Sequence, residues 1–149
     1  PLRLVGSEMC IRDRGGGRLF DRKAFAEQYW ACVAAQDRER LSQYFLSDAE
    51  VFWHCTNERF TVDAFVRVNC EYPGQWSGEV ERVTGDEKQL VTVARIWTLG
   101  ASFHVCAFMQ LEHEKIRRLD EYWADDGPAP AWRQELRIGR PIHRRQGGE

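Results

Sequence analysis

From Trp76 to Ala124 the apolar residues recur at every second position, in segments at about Trp76–Thr84, Leu90–Leu99, Phe103–Glu112 and Lys115–Ala124. Gly85-Asp86, Gly100-Ala101 and His113-Glu114 interrupt this pattern with the residues that tight hairpin turns require. Long strands joined so closely pair with their sequence neighbours, so the pattern predicts an antiparallel meander. Everything upstream has to be accommodated against that sheet.

Upstream the period is helical. Asp21 is placed to cap a helix through Gln36, with Phe25, Tyr29 or Trp30, Cys32 and Val33 on one face. A second, shorter helix starts near Asp37 or Arg38 and runs through Leu41, Tyr44 and Phe45 to Ser47-Asp48. Glu50–Cys55 has the β-branched and aromatic content of a strand, Thr56-Asn57-Glu58 a turn, and Thr61 caps a third helix from Val62 to about Cys70, ended by Pro73-Gly74. Helices followed by a meander define an α+β chain whose helices lie on one face of a curved sheet. At 149 residues, 43% of them hydrophobic, one core is expected. The expected divisions are a disordered or artefactual arm over 1–17, one domain over 18–138 and a flexible basic tail over 139–149. Within the arm, Glu8–Arg14 resembles the translation of a transposon-end adapter used in sequencing libraries.

A formal charge of −2 leaves no basic excess to neutralise a phosphate backbone, so nucleic acid is not an expected partner. The chain has no apolar run of membrane-spanning length. Cys10, Cys32, Cys55, Cys70 and Cys106 lack C-x-x-C spacing and an adjoining histidine set, which argues against zinc and disulfides and for mostly buried thiols in the cytoplasm. Asp125-Asp126-Gly127 lacks the further oxygen ligands of a calcium loop and reads as a turn. With no glycine-rich phosphate loop and no ligand cluster, no metal and no cofactor is expected.

Two-residue turns at Gly100-Ala101 and His113-Glu114 would set Trp97 opposite His104, Arg95 opposite Cys106, Cys106 opposite Glu121 and His104 opposite Trp123. One sheet face would then carry Arg95, Trp97, His104, Glu121 and Trp123. The other, with Ala94, Ile96, Phe103, Val105, Met109 and Ile116, is almost wholly apolar. Both need cover, and the helices suffice for one, so a twofold homodimer is expected over the other. A one-residue bulge would exchange the faces. Glu121, His104 and Arg95 are the catalytic candidates: a carboxyl among indoles has its pKa raised by desolvation, and imidazole and guanidinium can polarise a carbonyl. The same groups can instead form an Arg95–Glu121 ion pair with His104 satisfied in an interface. Trp97 and Trp123 are candidate pocket walls, and Tyr72 and Trp76 candidate rim residues. His54 and Asn57 are further candidates whose commoner roles are a hydrogen-bonded structural histidine and a turn asparagine.

Three stretches, Trp53–Thr61, Asn69–Gly74 and Lys115-Ile116 leading to Leu119–Gly127, resemble the SnoaL-like branch of the nuclear transport factor 2-like superfamily. The likeness runs from about Phe20 to Ile142 and includes Trp132-Arg133 and Ile138–Ile142. It implies a cone-shaped α+β barrel of the cystatin-like type, three helices held in a bent sheet, a pocket at the wide end and, usually, a homodimer. Its members include aldol cyclases, ketosteroid-type isomerases, epoxide hydrolases and dehydratases, as well as non-catalytic pocket domains. In the cyclases an acidic residue on the last strand is the acid/base; Glu121 matches it, as Glu in place of Asp, and His104 is the nearest candidate for the partner histidine. The Tyr and Asp oxyanion pair of the steroid isomerases has no match. The resulting expectation is a small-molecule pocket protein for a partly apolar ligand. It is either a cofactor-free acid/base enzyme working through Glu121 or a non-catalytic binding domain.

Overall fold

The computed structural model describes residues 10–12 and 18–143. The remainder of the suspected adapter and the end of the basic tail therefore lie outside the described residues. Cys10–Arg12 (β1) pairs antiparallel with Arg18–Phe20 (β2) in a separate ribbon.

Asp21 accepts a hydrogen bond from the Ala24 amide and starts α1, Arg22–Ala35, as its short side chain predicts. Gln36 closes the helix in the left-handed region. Asp37 likewise caps α2, Arg38–Gln43. This helix is shorter than expected: Tyr44 and Phe45 leave it because the Tyr44 carbonyl accepts from the Ile116 amide, and Phe45 begins the strand β3, Phe45–Trp53. Tertiary pairing here overrides local helical preference. A single 3₁₀ turn over His54–Thr56, with Asn57 left-handed at its end, leads into β4, Glu58–Thr61, and Thr61 caps α3, Val62–Glu71.

The meander follows as β5 (Ser77–Gly85), β6 (Gln89–Thr98), β7 (Ala101–Glu112) and β8 (Lys115–Asp125). The six-stranded sheet has the order β4-β3-β8-β7-β6-β5. The meander is antiparallel, as its turns predict, and the β3–β4 pair is too, but β3 runs parallel to β8, so the sheet is mixed. The helical segment between β3 and the meander carries the chain back to make that parallel pair possible.

The helices cover the concave face. Phe25, Tyr29 and Trp30 of α1 and Phe65 of α3 are buried against Leu90, Ala94, Val105, Ala107, Met109 and Leu119. The Trp30 indole N–H donates to Thr92 Oγ1, satisfying both groups inside the core. The apolar alternation read from β6 and β7 is thus the core face.

Two irregularities set what stands on each face. The first hairpin turns at Leu99-Gly100, so Arg95 lies opposite His104 and Trp97 opposite Ser102, a shift of two that preserves the faces. The β7–β8 hairpin turns at His113-Glu114, both left-handed, but its register slips between Leu111–Ile116 and Gln110–Arg118, leaving Arg117 as an extra residue. That bulge rotates the rest of β8 by one position. Cys106 faces Tyr122 instead of Glu121, and His104 faces Ala124 instead of Trp123. Glu121 and Trp123 therefore turn inward with Leu119, while Asp120 and Tyr122 turn outward. Cys32, Cys55, Cys70 and Cys106 are free, and of these four Cys32 alone is buried, where mostly buried thiols were expected; the Cys10 side chain lies outside what is described.

Candidate functional site

At the end of the sheet where β8 and β3 finish, the concave face opens into a cavity of about 260 Å³. Val33 and Gln36 come from the end of α1, Val68, Asn69 and Tyr72 from the end of α3 and the residue after it. Trp53, Cys55 and Thr56 enter from β3 and the 3₁₀ turn, Ile96, Phe103 and Trp123 from the meander, with Trp76 and Asp125 at the mouth. Most of this lining is apolar or aromatic, as a small-molecule site requires.

The helix ends are clasped to each other. The Gln36 side-chain amide donates to the carbonyls of Asn69 (2.9 Å) and Tyr72 (2.6 Å), and the Asn69 amide donates to the Val33 carbonyl (3.1 Å). The Trp76 indole N–H donates to the Pro73 carbonyl, fixing the ring over the Pro-Gly turn. Asp125 makes no side-chain hydrogen bond or ion pair among the described residues.

Glu121 lies behind the cavity and does not line it. It is 1% exposed, and its Oε2 accepts the Trp123 indole N–H at 2.5 Å. Burial pushes its pKa up to about 7, opposed by the hydrogen bond from the Trp123 indole. The Trp53 N–H and the Tyr29 hydroxyl are buried and make no hydrogen bond among the described residues. Burial raises the Tyr29 pKa well above the usual phenol value, and the Glu121 charge raises it further.

The outer face holds the other two catalytic candidates. His104 Nε2 is 2.6 Å from Glu81 Oε1 and its Nδ1 is bonded to Asp126, which also accepts from Ser102 Oγ. Both ring nitrogens meet carboxylates, so the imidazolium is favoured and its pKa is raised, chiefly by Asp126. Glu81 reaches His104 because it is the extra residue of a bulge in β5 between Val80 and Arg82. Arg95 stacks on Trp97, 4.6 Å from its ring centre, and lies 3.9 Å from Asp126. The expected convergence of Glu121 with His104 and Arg95, and the alternative Arg95–Glu121 pair, are therefore both overturned. The Arg117 bulge puts the sheet between them.

Of the candidate pocket residues, Trp123, Tyr72 and Trp76 line the cavity. Trp97 stands on the outer face under Arg95. His54 donates to Asp120 (2.8 Å) and stacks on Tyr122, ring centres 4.6 Å apart, also outside. Asn57 serves as the left-handed residue ending the 3₁₀ turn. Sequence reasoning missed Trp53, Phe103, Ile96 and Asp125 as lining. The two-residue alternation after Trp123 marks Asp125 once the bulge is known; Trp53 needs the parallel pairing with β8, which no local signal reveals.

No protein-family model and no curated protein matches the chain. Solved structures do. A candidate ketosteroid isomerase from Kribbella flavida DSM 17836 superposes with a TM-score of 0.68 at 21% identity, over 82% of this chain and 90% of that one. A nuclear transport factor 2-like protein of unknown function from Burkholderia xenovorans LB400 gives 0.66 at 21% identity, over 81% and 94%. A candidate SnoaL-like polyketide cyclase from Shewanella putrefaciens CN-32 gives 0.57 at 11% identity, over 70% and 79%. The fold is that of the nuclear transport factor 2-like proteins, as the sequence motifs implied. Identities this low establish the fold and leave the activity open.

Proposed function

We propose that this chain is a SnoaL-like pocket protein that binds a compact, largely apolar small molecule in the aromatic cavity, without using Glu121 as an acid or base on it. The observation that carries this reading is the position of Glu121. Its carboxyl is buried, bonded to the Trp123 indole and not among the side chains that line the cavity. His104 and Arg95 are committed to carboxylates on the other side of the sheet.

The test is ligand titration followed by tryptophan fluorescence, since Trp53, Trp76 and Trp123 all border the cavity. Iodobenzene, a compact apolar heavy-atom quencher that does not itself emit, should quench emission saturably, and Val68→Trp, which fills the space from α3, should abolish the effect. Quenching unchanged by Val68→Trp would reject the pocket as the binding site.

The pKa of Glu121, near 7, favours a second reading, because an acid/base is best poised near the working pH. In that reading Trp123 swings aside when substrate enters and Glu121 moves a proton in isomerase, cyclase or hydratase chemistry. Glu121→Gln then abolishes turnover while ligand affinity is retained; in the binding reading there is no turnover to lose.

The outer face supports a homodimer, with Phe108 and Tyr122 each 45% exposed beside Phe52, His54 and the Arg118–Asp120 pair. A cytoplasmic setting accords with the free thiols. Among the described residues no helix is long and apolar enough to cross a membrane.

A further inference from the structure

The cavity wall is a continuous belt of aromatic rings. Ring centres are 5.0 Å apart for Tyr72 and Trp76, 5.6 Å for Trp76 and Phe103, 6.2 Å for Phe103 and Trp123, and 6.4 Å for Trp123 and Trp53. All five of these rings line the same cavity. Among the described residues no Lys, Arg or His lines it, and Asp125 is the one formally charged side chain that does.

The cations of the neighbouring strands β6 and β7 are already engaged elsewhere. Arg95 is stacked on Trp97 and faces Asp126, and His104 lies between Asp126 and Glu81, all on the outer side of the sheet. Asp125 follows Trp123 by two positions on β8, so it shares the concave face and stands at the mouth of the cavity with no partner among the described residues. An anionic ligand would meet this carboxylate with nothing to offset it. A neutral apolar ligand would cover it without a counter-charge.

We propose that the ligand is an organic ammonium ion: a protonated or alkylated nitrogen on an apolar body, seated among the rings with Asp125 as counter-ion. This rests on the ligand-binding reading above and adds the charge of the ligand to it. Aromatic faces attract a desolvated cation through their quadrupoles, and a carboxylate at the rim adds direct attraction at the place where the charged end would emerge. Glu121, behind Trp53 and Trp123, adds no positive charge from the far side of the wall.

The test compares benzyltrimethylammonium with neopentylbenzene, its neutral carbon counterpart of the same shape, by tryptophan fluorescence titration of the full chain and of Asp125→Asn. The Asp125 side chain is exposed and unpartnered, so the variant is expected to fold, with an unchanged emission maximum as the control. The cation should bind about tenfold more tightly than the neutral compound, and Asp125→Asn should remove most of that preference while sparing the neutral compound. Equal or tighter binding of neopentylbenzene would overturn the ammonium inference and leave the pocket reading standing. A cation preference untouched by Asp125→Asn would also overturn it, by removing the counter-ion. Saturable binding of neither compound would bring down the pocket reading itself.

Discussion

Glu121 is a carboxyl held where burial disfavours its charged form. Its folded pKa, about 7, lies above the ordinary 4.5, so the folded chain holds this proton more tightly than the unfolded one does. The group therefore favours folding in acid, and that contribution fades as pH rises from about 4.5 through 7. Between pH 5 and 8 it amounts to roughly 2 to 3 kcal/mol. Glu121→Gln keeps an acceptor for the Trp123 N–H and removes the titration, so urea denaturation should show the variant gaining on the parent as pH rises from 5 to 8. His104, whose pKa is also raised, makes the parent weaken in the same direction, but it is common to both proteins and cancels in the comparison. Tyr29 presents the opposite case of a buried hydroxyl with no hydrogen bond. Tyr29→Phe should be neutral or stabilising by up to about 1 kcal/mol, since nothing is left unpaired by its loss. A clear drop in melting temperature would mean that the hydroxyl has a partner.

At the scale of elements, the caps and turns follow from residue chemistry and the bulge does not. Asp21, Asp37 and Thr61 each stand where a short side-chain oxygen can take a free helical N–H, so three helix starts were legible before any fold was known. Gly85 is similarly constrained: φ is +110°, and a Cβ there would lie 2.0 Å from the Gln89 carbonyl oxygen. Gly85→Ala should cost at least ~2 kcal/mol, measurable as a lowered denaturation midpoint. The extra residue at Arg117 has no comparable signature, because Arg117 is compatible with regular and bulged strand alike. Deleting it would remove the bulge while leaving Ile116 opposite Leu111 and Arg118 opposite Gln110, so Glu121 and Trp123 would still face inward and Asp120 and Tyr122 outward. A sharp thermal transition by circular dichroism should then be retained, and its loss would contradict the placement of the extra residue at Arg117.

For the whole molecule, a sheet covered on its concave side by three helices leaves the convex side as the surface on which copies could meet. If it does so, Phe108→Asp with Tyr122→Asp should convert a dimer to a monomer in sedimentation velocity while far-ultraviolet circular dichroism stays the same. A parent that sediments as a monomer would leave this face without that role. The α+β class, the order of helices before meander, the helix caps and the apolar face of β6 and β7 were all readable in the sequence, since each depends on spacing and on neighbours a few residues away. Tertiary structure alone decided that β3 lies parallel to β8, that Trp53 therefore joins Trp123 at the cavity wall, and that Glu121 is shut behind both. These depend on contacts between residues tens of positions apart and on one unpaired residue, Arg117, whose placement reverses a face without leaving a mark in the local pattern.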